Sequence, residues 1–127
     1  MLNSAGTERS MEERNQPFFS IVIPTCDSAT PPKDLKATLD SIVDQTYRKW
    51  EIIVVDNFSR DQTTQLASAY PARLFHMAGP ISVANNFGMR EARGDYILFL
   101  DSDQELPRRF LEECAQLVQR EGVDCIG

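Results

Sequence analysis

Short, apolar, β-branched runs alternate along this chain with longer segments whose apolar residues recur at helical spacing. Strands buried on both faces read as continuous apolar runs, and each connecting helix buries one stripe, so the alternation is the sequence form of consecutive βα units. It predicts an α/β fold: a Rossmann-like, mostly parallel sheet with flanking helices. Four runs read as strands: Phe19-Ser-Ile-Val-Ile23, stopped by Pro24; Glu51-Ile-Ile-Val-Val55, ended by Asp56; a short Arg73-Leu-Phe75; and Tyr96-Ile-Leu-Phe-Leu100.

The segments between them carry helix signals. After Pro31 and Pro32, the residues Leu35, Leu39, Ile42 and Val43 fall on one face. Ser59 and Gln62 have capping-box spacing for a helix running to about Tyr70. A polar helix is expected over 82–92, ended by Gly94. In the last helix, with Pro107 in its first turn, Phe110, Leu111, Cys114, Leu117 and Val118 make one stripe, and Gly122 stands near its end. Residues 123–126 then read as the start of a fifth strand. A half-built strand is an unusual place for a domain to stop, so the expectation is an N-terminal piece of something longer, truncated on its C-terminal side. Residues 1–17 are polar and lack apolar periodicity, which predicts a flexible leader before a folded part over 18–127.

Composition narrows the functional classes. With 127 residues, 42% apolar and 25% charged, the chain suits one globular domain. A net charge of −6 without a Lys/Arg stripe argues against a nucleic-acid partner. No apolar run approaches the roughly 20 residues of a membrane span, and the N-terminus lacks the apolar core of a signal peptide. The expected location is the cytoplasm, at the inner face of a membrane only through parts outside this chain. Cys26, Cys114 and Cys125 are an odd set without CxxC or zinc-ligand spacing, which predicts reduced thiols, with Cys114 on a helix core face. The single histidine, His76, reads as a strand-end residue, so a His-based triad finds little support.

In a parallel sheet the C-terminal strand ends share one rim, where ligands of open α/β sheets bind. That rule gathers Pro24, Thr25, Cys26 and Asp27 with Asp56 and Asn57, His76, and Asp101-Ser-Asp103. Four carboxylates on one rim need a cation or bound donor groups. Asp101 and Asp103, directly after an apolar strand, offer hard oxygen ligands to Mg²⁺ or Mn²⁺, which keeps its other positions for water and diphosphate oxygens. Asp56 and Asp27 are placed to accept hydrogen bonds from a nucleobase N–H or a ribose hydroxyl. Neither GxGxxG nor GxxxxGK[ST] occurs, so no glycine loop cradles phosphates. The polar start of the 82–92 helix, Ser82 with Asn85 and Asn86, is expected near the same rim, its amides facing an anion.

The ordered residues resemble the N-terminal half of family 2 glycosyltransferases, inverting nucleotide-sugar enzymes of the GT-A fold. Four segments carry the resemblance: Phe19-Ser-Ile-Val-Ile-Pro-Thr25, Leu39-Asp-Ser-Ile-Val-Asp-Gln-Thr-Tyr47, Glu51-Ile-Ile-Val-Val-Asp-Asn-Phe-Ser-Arg-Asp61, and the stretch from Ala84 to Asp103 that ends in Leu100-Asp-Ser-Asp103. It implies that Pro24, Thr25 and Asp56 touch the nucleoside, Asp56 reading the base, with Asp27 nearby. It implies that Asp101-Ser102-Asp103 is a DxD motif, Asp103 the direct metal ligand and Asp101 nearer the ribose and the metal's water shell. Asn85 stands where the family often has Arg, while Asn86 keeps the family's Asn; Gln104 stands where a further Asp is common. The implied donor is a UDP- or GDP-linked sugar, the acceptor a glycan, lipid or protein, and the general base lies beyond Gly127. Two other readings weigh less. A haloacid-dehalogenase-type phosphatase would have its DxD open the fold rather than end the fourth strand, and a receiver-like signalling domain would want an acidic pair at the first strand.

Overall fold

A computed structural model describes residues 16–121. The expected fifth strand, Gly122, Cys125 and the first fifteen residues of the expected leader lie outside them; Pro17 is already buried. Four strands, β1 (Phe19–Thr25), β2 (Trp50–Asp56), β3 (Ala72–His76) and β4 (Tyr96–Phe99), alternate with helices α1 (Leu35–Val43), α2 (Thr63–Ser68), α3 (Ile81–Glu91) and α4 (Phe110–Glu121). The sheet order is β3-β2-β1-β4, and every pairing is parallel. No helix among the described residues is long and apolar enough to cross a membrane.

Alternation along β1 decides which layer each side chain joins. Phe19, Ile21 and Ile23 pack with Leu35, Leu39 and Ile42 of α1 and Leu111 and Ala115 of α4, the larger core. Val22 points the other way and meets Ile53, Val55 and Ala84 in a smaller cluster under α3. Gly88 sets how close α3 comes: a Cβ built there would lie 2.3 Å from Val22 Cγ1.

Three of the boundaries that differ from the sequence expectation do so for a clear local reason. β1 runs through Pro24 to Thr25, because the odd-numbered residues of β1 bond β2 and the even-numbered ones bond β4, whose ladder ends at Val22. The amide that Pro24 lacks would face that side, where no ladder partner waits. α3 ends at Glu91, with Ala92 already extended. Gly94 is therefore no helix cap; a Cβ there would stand 2.6 Å from both the Phe18 carbonyl and Ser20 Oγ, so the glycine permits close strand approach. Pro107 precedes α4 instead of entering it, and its carbonyl accepts from the Phe110 amide.

The last helix is docked by a buried glutamine. Gln45 Nε2 donates to the Pro107 carbonyl at 2.7 Å and Oε1 accepts from the Leu111 amide at 3.0 Å, filling a free donor of the first turn of α4. Close by, Tyr47 packs edge-on against Phe19 and donates to the Pro17 carbonyl at 2.6 Å; burial pushes its hydroxyl pKa up to about 12. Cys114 is half-buried against the larger core, and burial raises its thiol pKa.

The contact of Gly88 with Val22 yields a stability test. Gly88→Ala is expected to cost about 1–3 kcal/mol by urea denaturation, and adding Val22→Ala to recover part of that loss. Equal losses in the single and double variants would place the strain elsewhere.

Candidate functional site

The sheet reverses its direction of growth at β1, which has β2 on one side and β4 on the other. That is the switch point of an open α/β sheet. A crevice of about 230 Å³ opens there. Pro24, Thr25 and Cys26 line it from the end of β1, Val55 and Asn57 from β2 and its following turn, and Asp101, Ser102 and Asp103 from the end of β4. Gly79, Ile81 and Ala84 close it on the α3 side, and Lys33 reaches it from the β1–α1 loop.

Asp101, Ser102 and Asp103, which follow β4 after Leu100, have divided orientations. Ser102 is buried: its hydroxyl lies 2.9 Å from Ser28 Oγ, and its carbonyl accepts from Thr38 Oγ1 of α1 at 3.2 Å. Fixing the middle residue turns both neighbours outward, and Asp101 and Asp103 are exposed. Neither carboxylate makes a hydrogen bond or ion pair with a described residue; the Asp101 amide is held by Gln104 Oε1 at 3.1 Å.

Asp56 is placed differently from the expectation. It is fully buried and absent from the crevice wall. Oδ1 accepts from Thr25 Oγ1 and from Ser59 Oγ, both at 2.6 Å, and Oδ2 accepts from the Ser59 amide at 2.8 Å. A buried carboxylate needs such donors, and Ser59 is consumed in supplying them. The expected capping box of Ser59 and Gln62 therefore does not form. Asp61 serves the start of α2 instead, accepting from the Thr63 amide at 2.9 Å and from its hydroxyl. The Thr63 hydroxyl, first, and its amide hold the Asp61 carboxyl below its usual pKa.

Asp27 is exposed on the rim, but its carboxylate faces the neighbouring turn. Oδ1 accepts from the Arg60 amide at 2.7 Å, and its own amide donates to Ser59 Oγ at 2.8 Å. Asp27 and Phe58 both take positive φ, 47° and 46°, strained values that these cross-loop bonds sustain. His76 ends β3 as expected, with Nδ1 3.7 Å from Asp56 Oδ2 and its ring stacked on exposed Phe58.

Like Asp27 and Asp56, the expected Asn85 and Asn86 are off the crevice wall. Asn86 is exposed; Asn85 is half-buried, its Oδ1 without a partner. Ala84 and Gly88 face the sheet, so helical geometry turns Asn86 about 200° away from that line. Ile81 and Ala84 line the crevice from this helix instead, and Ser82 is exposed with no side-chain cap preceding it. Sequence reading also passed over Lys33, whose sole signal is a basic residue in the loop after β1.

The donor set fits a hard divalent ion bound in part by its ligand. Asp101 and Asp103 supply uncommitted carboxylate oxygens on one loop. No group of three or more His, Cys, Asp or Glu placed to hold a metal occurs among the described residues. Such a pair makes no protein cage, and leaves coordination positions for water and phosphate oxygens.

Known proteins share both the sequence and the fold. Residues 20–127 match the family described as Glycosyl transferase family 2. The glycosyltransferase AglE of Haloferax volcanii is 29% identical over 120 residues, covering 87% of this chain and 38% of AglE. The glycosyltransferase GlyG of Streptococcus pneumoniae is 31% identical over 116 residues, covering 86% and 38% respectively. The crystal structure of Staphylococcus aureus TarS 1-349 has the same fold, with a TM-score of 0.77 at 24% identity over 83% of this chain and 33% of that one. The mannosyltransferase PcManGT of Pyrobaculum calidifontis, in complex with GDP-Man and Mn²⁺, gives a TM-score of 0.60 at 26% identity over 82% and 32%. This chain spans at most 38% of the length of these four relatives. With the family match covering all but the first nineteen residues, the chain belongs to glycosyltransferase family 2.

Proposed function

We propose that this chain is the donor-binding half of a metal-dependent, inverting glycosyltransferase that takes its sugar from a UDP- or GDP-linked donor. The observation that carries the reading is the switch-point crevice with the uncommitted Asp101 and Asp103 on one wall and Thr25 and Asn57 on the other. Support for the donor class comes from relatives: TarS has been crystallised with UDP and with UDP-GlcNAc, and PcManGT with GDP-Man and Mn²⁺.

The residues divide the work. Asp103 and Asp101 would hold Mn²⁺ or Mg²⁺, which when bound offsets negative charge on the departing nucleoside diphosphate. Ser102 fixes the turn that presents them. Asp56 acts in this reading as a positioning residue, orienting the end of β1 through Thr25 and the following turn through Ser59. The nucleoside then lies along backbone that Asp56 has set, between Pro24, Thr25 and Asn57. No residue of this chain is assigned the general base, so attack by an acceptor hydroxyl, whether of a glycan, lipid or protein, depends on groups outside it.

Thermal shift with UDP, GDP and inorganic phosphate, each with and without Mn²⁺, tests the donor site. A nucleoside diphosphate is expected to stabilise the chain only with the metal, by about 2.7 kcal/mol at a hundredfold excess over Kd. Asp103→Ala should remove the metal dependence, and the chain alone should show little or no sugar transfer. Metal-dependent stabilisation by phosphate without nucleotide preference would sink the reading. For Asp56, substitution by Asn puts an NH₂ where an accepting oxygen stood. Asp56→Asn should cost about 1–3 kcal/mol in chemical denaturation and weaken nucleotide binding in parallel. Unchanged stability with lost binding would assign Asp56 to direct contact instead.

A further inference from the structure

We infer that Lys33 is the side-chain cation for the donor's diphosphate, an assignment that rests on the donor site proposed above and extends it to a residue of the β1–α1 loop. Charge balance makes the need plain. Asp101 and Asp103 offset the charge of a divalent ion between them, so the negative charges of a bound diphosphate stay unbalanced unless the protein adds a cation. Among the described residues lining the crevice, Lys33 is the only Lys or Arg.

Its environment leaves it available. The ammonium donates to the Cys26 carbonyl at 3.1 Å, which draws the side chain over the end of β1 and uses one of its three protons on a neutral acceptor. Lys33 makes no ion pair among the described residues, whereas Lys36 nearby is committed to Asp40 at 2.7 Å and Arg73 to Glu51 at 3.2 Å. The loop that carries it is held from both sides. Ser28 donates its amide to Thr63 Oγ1 at 2.8 Å, and the Ala29 amide donates to Asp61 Oδ2 at 3.1 Å. The Leu35 amide returns to the Ser28 carbonyl at 3.0 Å, closing the loop at its far end. A flexible point charge is thus mounted on an ordered loop, facing the same crevice as the two carboxylates. The first turn of α3 has no side-chain cap and adds a weaker positive field at the opposite wall.

The test compares nucleoside mono- and diphosphates. Calorimetric titration of the chain with UMP and UDP, and with GMP and GDP, all with Mn²⁺, gives the ratio of mono- to diphosphate Kd for wild type, Lys33→Met and Lys33→Arg. Lys33→Met is expected to weaken diphosphate binding about tenfold or more while monophosphate binding changes less, so the ratio shrinks. Lys33→Arg should restore most of the ratio, and the melting temperature of the ligand-free variants should match wild type. An unchanged ratio in Lys33→Met overturns the assignment, as does equal weakening toward both ligands, which would mark a loop-shaping role. If wild type binds no nucleotide with or without Mn²⁺, the donor site itself is wrong and Lys33 falls with it; wild-type binding with an unaltered Lys33→Met overturns only the assignment of Lys33.

Discussion

A buried carboxylate organises the rim of this sheet. Asp56 is fully enclosed, and its hydrogen-bond donors come from the end of β1 and from the turn after β2. An ionised group in that position is tolerable only with short bonds from oriented donors. The requirement runs outward from there. Ser59, held by Asp56, also receives the Asp27 amide; the Asp27 carboxylate binds the Arg60 amide; Asp61 reaches back to Ala29. Three successive carboxylates stitch the β1–α1 loop to the β2–α2 turn. The wall of the crevice nearest β2 therefore exists before any ligand arrives.

On the β4 side the same logic runs through hydroxyls. Ser28, whose amide is bound to Thr63, meets Ser102 Oγ, and Thr38 holds the Ser102 carbonyl. These contacts locate the turn after β4 without using Asp101 or Asp103. Small buried hydroxyls suit this task, because each both donates and accepts within a space that larger polar groups would overfill. The two acidic side chains are left as the uncommitted part of an otherwise satisfied network.

What the sequence made legible follows from what is local. Strands buried on both faces announce themselves by composition, and the larger core could be read from the stripes of α1 and α4. The rim could be read too, since strand direction alone gathers Thr25, Asp56 and Asp101 to Asp103. Partner identity could not. Thr25 and Asp56 are 31 residues apart, and Ser59 donates its hydroxyl to Asp56 because the fold buries that carboxylate beside Thr25. Pro24 looked like a stop because its tolerance depends on the length of β4 beside it. Asn85 and Asn86 looked rim-facing because the rotation of α3 is set by Gly88 against Val22, a contact across 66 residues. Lys33 was invisible for a different reason: a lone lysine in a Pro-rich loop carries no periodicity, and only the fold brings that loop to the crevice.

The two walls differ in a way that bears on how a ligand is held. On the β2 side the polar groups are paired within the protein, so a ligand there meets backbone and side chains already in place and loses little to ordering them. On the β4 side Asp101 and Asp103 repel each other and lack partners among the described residues, and a cation arriving with an anionic ligand would relieve both. In the proposed donor site, selectivity would belong to the first kind of wall, since a mismatched group would leave fixed donors and acceptors unpaired. Dependence on metal would belong there to the second, where two exposed carboxylates share one loop. The division into a preorganised wall and a charge-deficient one comes from a single feature of the fold: the buried aspartate is at the strand that β1 meets first, and the exposed pair at the strand that returns to its other edge.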